Sequence, residues 1–97
     1  MHLEIDDEAR AEAVEARDYY AAVGPDLGQN FTQRLDQALA RIAANPLRWP
    51  PYTHRTRRYL IDRFPYAVIY RVKDQTIRVL AVSHQHRRPA YWARRGG

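Results

Sequence analysis

The sequence predicts an α+β fold in which two helices precede a run of three strands. Three observations carry this. Apolar residues recur at helical spacing between Asp7 and Asn45, β-branched and aromatic runs dominate from Arg58 onward, and proline- or glycine-bearing breaks separate the segments. Helices that come first and strands that follow together favour an antiparallel meander packed under a helical layer. The expected order is β-α-α-β-β-β, a helical hairpin on a mainly antiparallel four-stranded sheet, with a short C-terminal helical turn. At 97 residues the whole chain, 1–97, is expected to form one domain, because there is no room for a second core.

Each element has its own signal. Leu3-Glu4-Ile5 alternates and is short enough for an edge strand. From Asp7, Ala9, Ala13, Ala16 and Tyr20 keep helical spacing, and three acids at the start complement the helix dipole. Gly24-Pro25 breaks this segment, and Asp26 with Gln29 forms a candidate capping box for the next. Leu27, Phe31, Leu35, Leu39 and Ile42 then make an apolar stripe, with Ala38 and Ala43 beside it. Asn45-Pro46 ends the helix, since the residue before a proline avoids the α region. Leu47 to Thr56 reads as a proline-rich loop. Arg58–Phe64, Tyr66–Val72 and Ile77–Ser83 read as strands, and Lys73-Asp74-Gln75-Thr76 as a hairpin turn.

The charge is divided along the chain. Residues 1–40 hold nine acids and three arginines, net −6, whereas residues 41–97 hold thirteen bases and two acids, net +11. The acidic half is the helical layer and the basic half is the sheet with its loops. Lys73 is the one lysine among sixteen bases. Guanidinium groups grip phosphates and carboxylates in bidentate fashion, so this half suits a polyanion or an acidic protein. A GC-rich genome would explain arginine over lysine, but not the one-sided placement. The chain has no cysteine, hence no disulfide and no thiolate metal site. The acidic N-terminus lacks the apolar core of a signal peptide, and no apolar run approaches the roughly 20 residues that span a bilayer. A cytoplasmic protein without membrane contact and without a small-molecule cofactor is expected.

The run Arg63-Phe64-Pro65-Tyr66-Ala67-Val68-Ile69-Tyr70-Arg71-Val72 resembles the second and third strands of the RelE/ParE toxin superfamily. Val79-Leu80-Ala81-Val82-Ser83-His84-Gln85-His86-Arg87-Arg88-Pro89-Ala90-Tyr91-Trp92 resembles its last strand and C-terminal motif. Tyr19-Tyr20, Leu27-Gly28, Phe31 and Ile42-Ala43-Ala44-Asn45-Pro46 fall at the matching places in the helical half. The resemblance covers nearly the whole chain and implies a type II toxin neutralised by a cognate antitoxin. RelE-like members cut mRNA on the ribosome and ParE-like members act on DNA gyrase, so the fold does not choose the target. The antitoxin is expected to lay an acidic or amphipathic segment over the basic sheet.

Metal-free RNA cleavage needs a base, a cation beside the phosphorane and an acid for the leaving oxygen. His84 and His86, at the end of the last strand, have the right chemistry for acid and base. The resemblance places Arg87 beside the scissile phosphate, Tyr91 at the C-terminal tyrosine and Arg58 at a contributing basic position. It also implies an arginine after Tyr66, where this chain has Ala67. Losing such a cation costs about 2.7–4 kcal/mol of transition-state stabilisation, which moves the balance toward gyrase. Arg63 or Arg71 could compensate from nearby. The remaining cations, Arg55, Arg57, Arg88, Arg94 and Arg95, join Arg63 and Arg71 as candidate partner or nucleic-acid contacts.

Plainer roles compete with these. His84 and His86 share a strand face but lack a third metal ligand nearby in sequence. Trp92 is expected to fold the tail back onto the sheet, and Trp49 and Tyr52 to cap the core. A gyrase-directed toxin is the favoured function, with a ribosome-dependent endoribonuclease as the alternative. A degenerate toxin or a plain nucleic-acid-binding module comes last.

Overall fold

A computed structural model describes residues 1–96. Strand β1 (His2–Ile5) leads into helices α1 (Asp7–Val23) and α2 (Leu27–Ala44), followed by β2 (Pro51–Tyr52), β3 (Thr56–Leu60), β4 (Tyr66–Lys73) and β5 (Thr76–His84). One sheet results, in the order β1-β5-β4-β3-β2. All neighbours are antiparallel except β1 and β5, which run parallel with His2 opposite Thr76 and Ile5 opposite Val79. The sheet has five strands where four were expected. Pro51 and Tyr52 pair with Arg57 and Thr56 at the edge, where a residue without an N–H is tolerated.

The helices pack through small residues. Ala9 and Ala16 are buried on α1, and Phe31, Leu35, Ala38 and Ile42 on α2. The helices lie close together at Gly28: a Cβ there would lie 2.9 Å from both the Ala21 Cβ and the Arg17 carbonyl oxygen. The expected capping box does not form. Asp26 already has helical dihedrals, φ −108° and ψ −4°, and its side chain caps nothing; Leu27 N–H donates to Gly24 O instead.

Strand β3 starts and ends earlier than the sequence suggested. Arg63 is left-handed at φ 70°, and Ile61 N–H donates to Tyr66 O, so Asp62 to Phe64 reverse the chain. The Lys73–Thr76 hairpin turns with Asp74 and Gln75 both left-handed, φ 52° and 65°, the primed geometry that matches strand twist.

Both faces of the sheet are covered. Val68, Tyr70, Ile77, Val79 and Val82 face the helices and join Phe31 and Ile42 in one core. Ala67, Ile69, Leu80 and Ala81 form a second core around Trp92, which is 2% exposed. A bulge makes this possible. Tyr70 lies opposite Val79 and Ile69 opposite Ala81, so Leu80 is an extra residue and shares a face with Ala81. The tail is a chain of turns in which Tyr91, Ala93 and Arg95 N–H donate to the carbonyls three residues back. Left-handed Ala90, φ 58°, lies within it, and the expected helical turn takes this form.

Candidate functional site

The end of β5, the turn after it and the tail create a cleft on the face opposite the helices. It holds about 480 Å³, with Ala67 and Ile69 of β4 and buried Trp92 among its lining. Arg58 of β3, His84 of β5, Arg87 and Arg88 bring the polar groups. The Arg58 guanidinium stacks 4.3 Å from the Tyr52 ring centre. His84 lies edge-on to Tyr66 at 5.0 Å, and its Nδ1 accepts the His86 backbone N–H at 3.0 Å. A neutral His84 therefore carries its proton on Nε2. His86 is exposed and does not line the cleft.

Arg87 sits between this cleft and a second hollow of about 450 Å³, which Glu12, Glu15, Tyr19 and Tyr20 of α1 line from the helical side. Its guanidinium lies 4.0 Å over the Tyr91 ring. The Tyr91 hydroxyl donates to Glu12 Oε2 in a short bond, and burial together with that acceptor pushes its pKa up to about 12. Glu12 Oε1 also accepts from Arg95 Nη1 at 2.8 Å and from the Val82 backbone N–H at 3.1 Å. Arg95 adds a 3.1 Å bond to Leu80 O and an ion pair with Glu8 at 3.1 Å. Glu12 is thus the acceptor through which α1, β5 and the tail meet. Its signal lay in the sequence: it is an acid at helical spacing from Ala9 and Ala16, inside the alanine stripe.

The candidate cations divide into tied and open groups. Arg57 donates to Trp49 O at 2.6 Å and to Leu47 O, and Arg71 to His54 O at 3.0 Å; with Arg95 they fasten loops and tail to the sheet. Arg71 and Arg63 do not line the cleft, so neither replaces the arginine that Ala67 lacks there. Arg55, Arg63, Arg88 and Arg94 are exposed. Among the described residues no group of three or more His, Asp or Glu is placed to hold a metal, and no helix is long and apolar enough to cross a membrane.

A family model described as the ParE toxin of type II toxin-antitoxin system, parDE, matches residues 3–89. The chain belongs to this family. No curated protein matches it at a comparable level. A solved structure described as the chromosomal ParDE TA system from P. aeruginosa shares the fold of this ParE-family chain, with a TM-score of 0.76 and 23% identity. The likeness covers 87% of this chain and 95% of that one. The family match ends at Pro89, so the latch made by Tyr91 and Arg95 lies beyond the matched stretch.

Proposed function

We propose that this ParE-family toxin arrests growth by binding DNA gyrase, not by cutting RNA, and that a cognate antitoxin in the cytoplasm holds it inactive. The state of Tyr91 carries this reading. The resemblance puts Tyr91 at the tyrosine of a RelE-like site, where its hydroxyl would have to be free to meet the phosphate. Here the hydroxyl is bound to Glu12 and its pKa is raised to about 12, far from the working pH of a general acid or base. Ala67 compounds the deficit, since the cleft lacks a cation at that position. An inhibitor that works by binding needs neither group. The antitoxin is expected to bring an acidic segment to the basic half, where Arg58, Arg87 and Arg88 line one cleft.

A ribosome-dependent endoribonuclease remains the second reading, favoured by the convergence of His84, Arg58 and Arg87 on that cleft. Three assays separate them. Purified toxin should block gyrase supercoiling, and His84→Ala and His86→Ala variants should stay toxic in cells. Primer extension on cellular mRNA after induction should show no new cuts. Codon-positioned cuts that disappear in Arg87→Ala would reject the gyrase reading.

A further inference from the structure

Three tyrosines meet on the helix side of the sheet, and only two of them serve the core. Tyr19 and Tyr20 follow one another on α1, and Tyr66 opens β4; with Glu12, Glu15 and His84 they line the hollow of about 450 Å³. Their rings stand nearly at right angles. Tyr19 and Tyr20 lie 5.1 Å apart at 77°, Tyr20 and Tyr66 6.3 Å apart at 69°, and Tyr66 and His84 5.0 Å apart at 90°. The core fixes the inner two. Phe31 stacks on Tyr20 at 5.7 Å and meets Tyr66 edge-on at 5.2 Å, while Phe64 meets Tyr20 at 4.9 Å. Tyr19 instead stands 62% exposed, so burial does not explain its ring.

The aromatic side of this hollow lacks a cation. Arg87 is the one arginine in its lining, and the guanidinium is stacked 4.0 Å over Tyr91, a ring that lies outside it. Among the described residues no arginine or lysine stands over Tyr19, Tyr20 or Tyr66. The two acids differ in the same sense. Glu12 is taken up by Tyr91, Arg95 and the Val82 N–H, whereas Glu15 has no ion-pair partner among the described residues. Burial, then Tyr20 and then Glu15, raises the Tyr66 pKa, so the field of the Glu15 carboxylate reaches that ring. Electron-rich ring faces attract cations, and several faces around one point make a cage for a quaternary ammonium. Shape favours that occupant as well. Walls that meet at right angles enclose a rounded cation, whereas a flat guanidinium lies best along a single face.

We propose that this hollow binds the trimethylammonium head of a small molecule. The methyl groups rest against the Tyr19, Tyr20 and Tyr66 rings, and Glu15 supplies the counter-charge from the rim. A methylated head also gives up less hydration than a bare ammonium, which is compact and strongly hydrated. Pro65, Tyr66, His84 and Arg87 border the cleft on the opposite face too, but Glu15 and the tyrosines of α1 do not. The site stands whether or not gyrase is the target.

The test titrates the purified full chain with choline and with dimethylbutanol, its uncharged isostere in which a tert-butyl group replaces the trimethylammonium head. In proton NMR the choline methyl signal should move upfield, as protons over ring faces do, and the shift should saturate. The isostere should bind about tenfold more weakly, and added salt should weaken choline alone. Tyr19→Leu and Glu15→Gln, both at exposed positions, should each weaken choline binding about tenfold without changing circular dichroism. Tyr19→Phe keeps the ring and should stay within about threefold of the parent chain. The proposal is overturned if choline gives no saturable shift, if the isostere binds equally well, or if neither Tyr19→Leu nor Glu15→Gln moves the affinity. A trimethyl-lysine peptide that binds where choline does not would equally overturn it, because the hollow would then belong to a protein partner.

Discussion

Glu12 accepts from the Val82 N–H, the Tyr91 hydroxyl and the Arg95 guanidinium, so removing its carboxylate leaves three donors without their acceptor. Glu12→Ala is expected to lower unfolding free energy by about 1–3 kcal/mol, the cost of leaving part-buried donors without their acceptor. Urea denaturation should show this, with Glu12→Gln losing less. The tyrosines set a limit at alkaline pH. Tyr70, whose hydroxyl donates to Pro46 O at 2.7 Å, and Tyr91 are both raised from 10.0 to about 12, Tyr70 chiefly by burial. The fold therefore keeps protons that the unfolded chain would release. The stabilisation is complete below about pH 10 and is lost as pH rises toward 12. Urea midpoints measured across that range should fall, and fall less steeply in Tyr70→Phe. At this scale the sequence was only partly legible. Trp92 was readable as a tail anchor because a large aromatic residue follows the last strand, where a sheet face needs covering. Arg57, Arg71 and Arg95 looked like Arg87 and Arg88, because what ties them is a distant carbonyl or carboxylate that no local pattern reveals.

Helices were the most legible elements, since a sustained apolar period over α1 and α2 has one geometric solution. Gly28 tests how closely they fit. An exposed helical glycine replaced by alanine normally gains stability, yet here the new methyl would meet Ala21 and the Arg17 carbonyl at 2.9 Å. Gly28→Ala should instead lower stability by about 1–3 kcal/mol, read as a reduced thermal midpoint. The hairpin makes the opposite case. Gln75 is left-handed at φ 65°, a conformation costing a side-chain-bearing residue roughly 1–2 kcal/mol. Gln75→Gly is expected to raise the urea midpoint. The strands were legible in number and order, apart from β2, but less so in their bounds. β3 was displaced because Arg63 adopts a conformation that its residue type does not announce. The Leu80 bulge was invisible, since it exists only in relation to the strand opposite.

Across the whole molecule, one sheet carries two cores, and the second depends on a tail outside the family match. Trp92→Ala should cost about 3–5 kcal/mol and expose Ile69, Leu80 and Ala81, which dye binding and urea denaturation would report. The charge division seen in the sequence also has a spatial counterpart. Glu8 and Glu12 of the acidic helix hold Arg95 of the basic tail, so part of the apparent excess of positive charge is neutralised within the fold. Of the cations left open, Arg58, Arg87 and Arg88 line the cleft, whereas Arg55 and Arg94 lie outside it. The parallel pairing of β1 with β5 has a consequence in time. His2 lies opposite Thr76, and Glu12 of α1 reaches Val82, so β1 cannot pair and the Glu12 contacts cannot form until β5 has been made. Closing so long a loop is slow, although α1 can pack against α2 before it closes. A nascent copy is expected to stay open until nearly all of it has left the ribosome. That delay gives a partner its first chance to meet the chain before the sheet has closed.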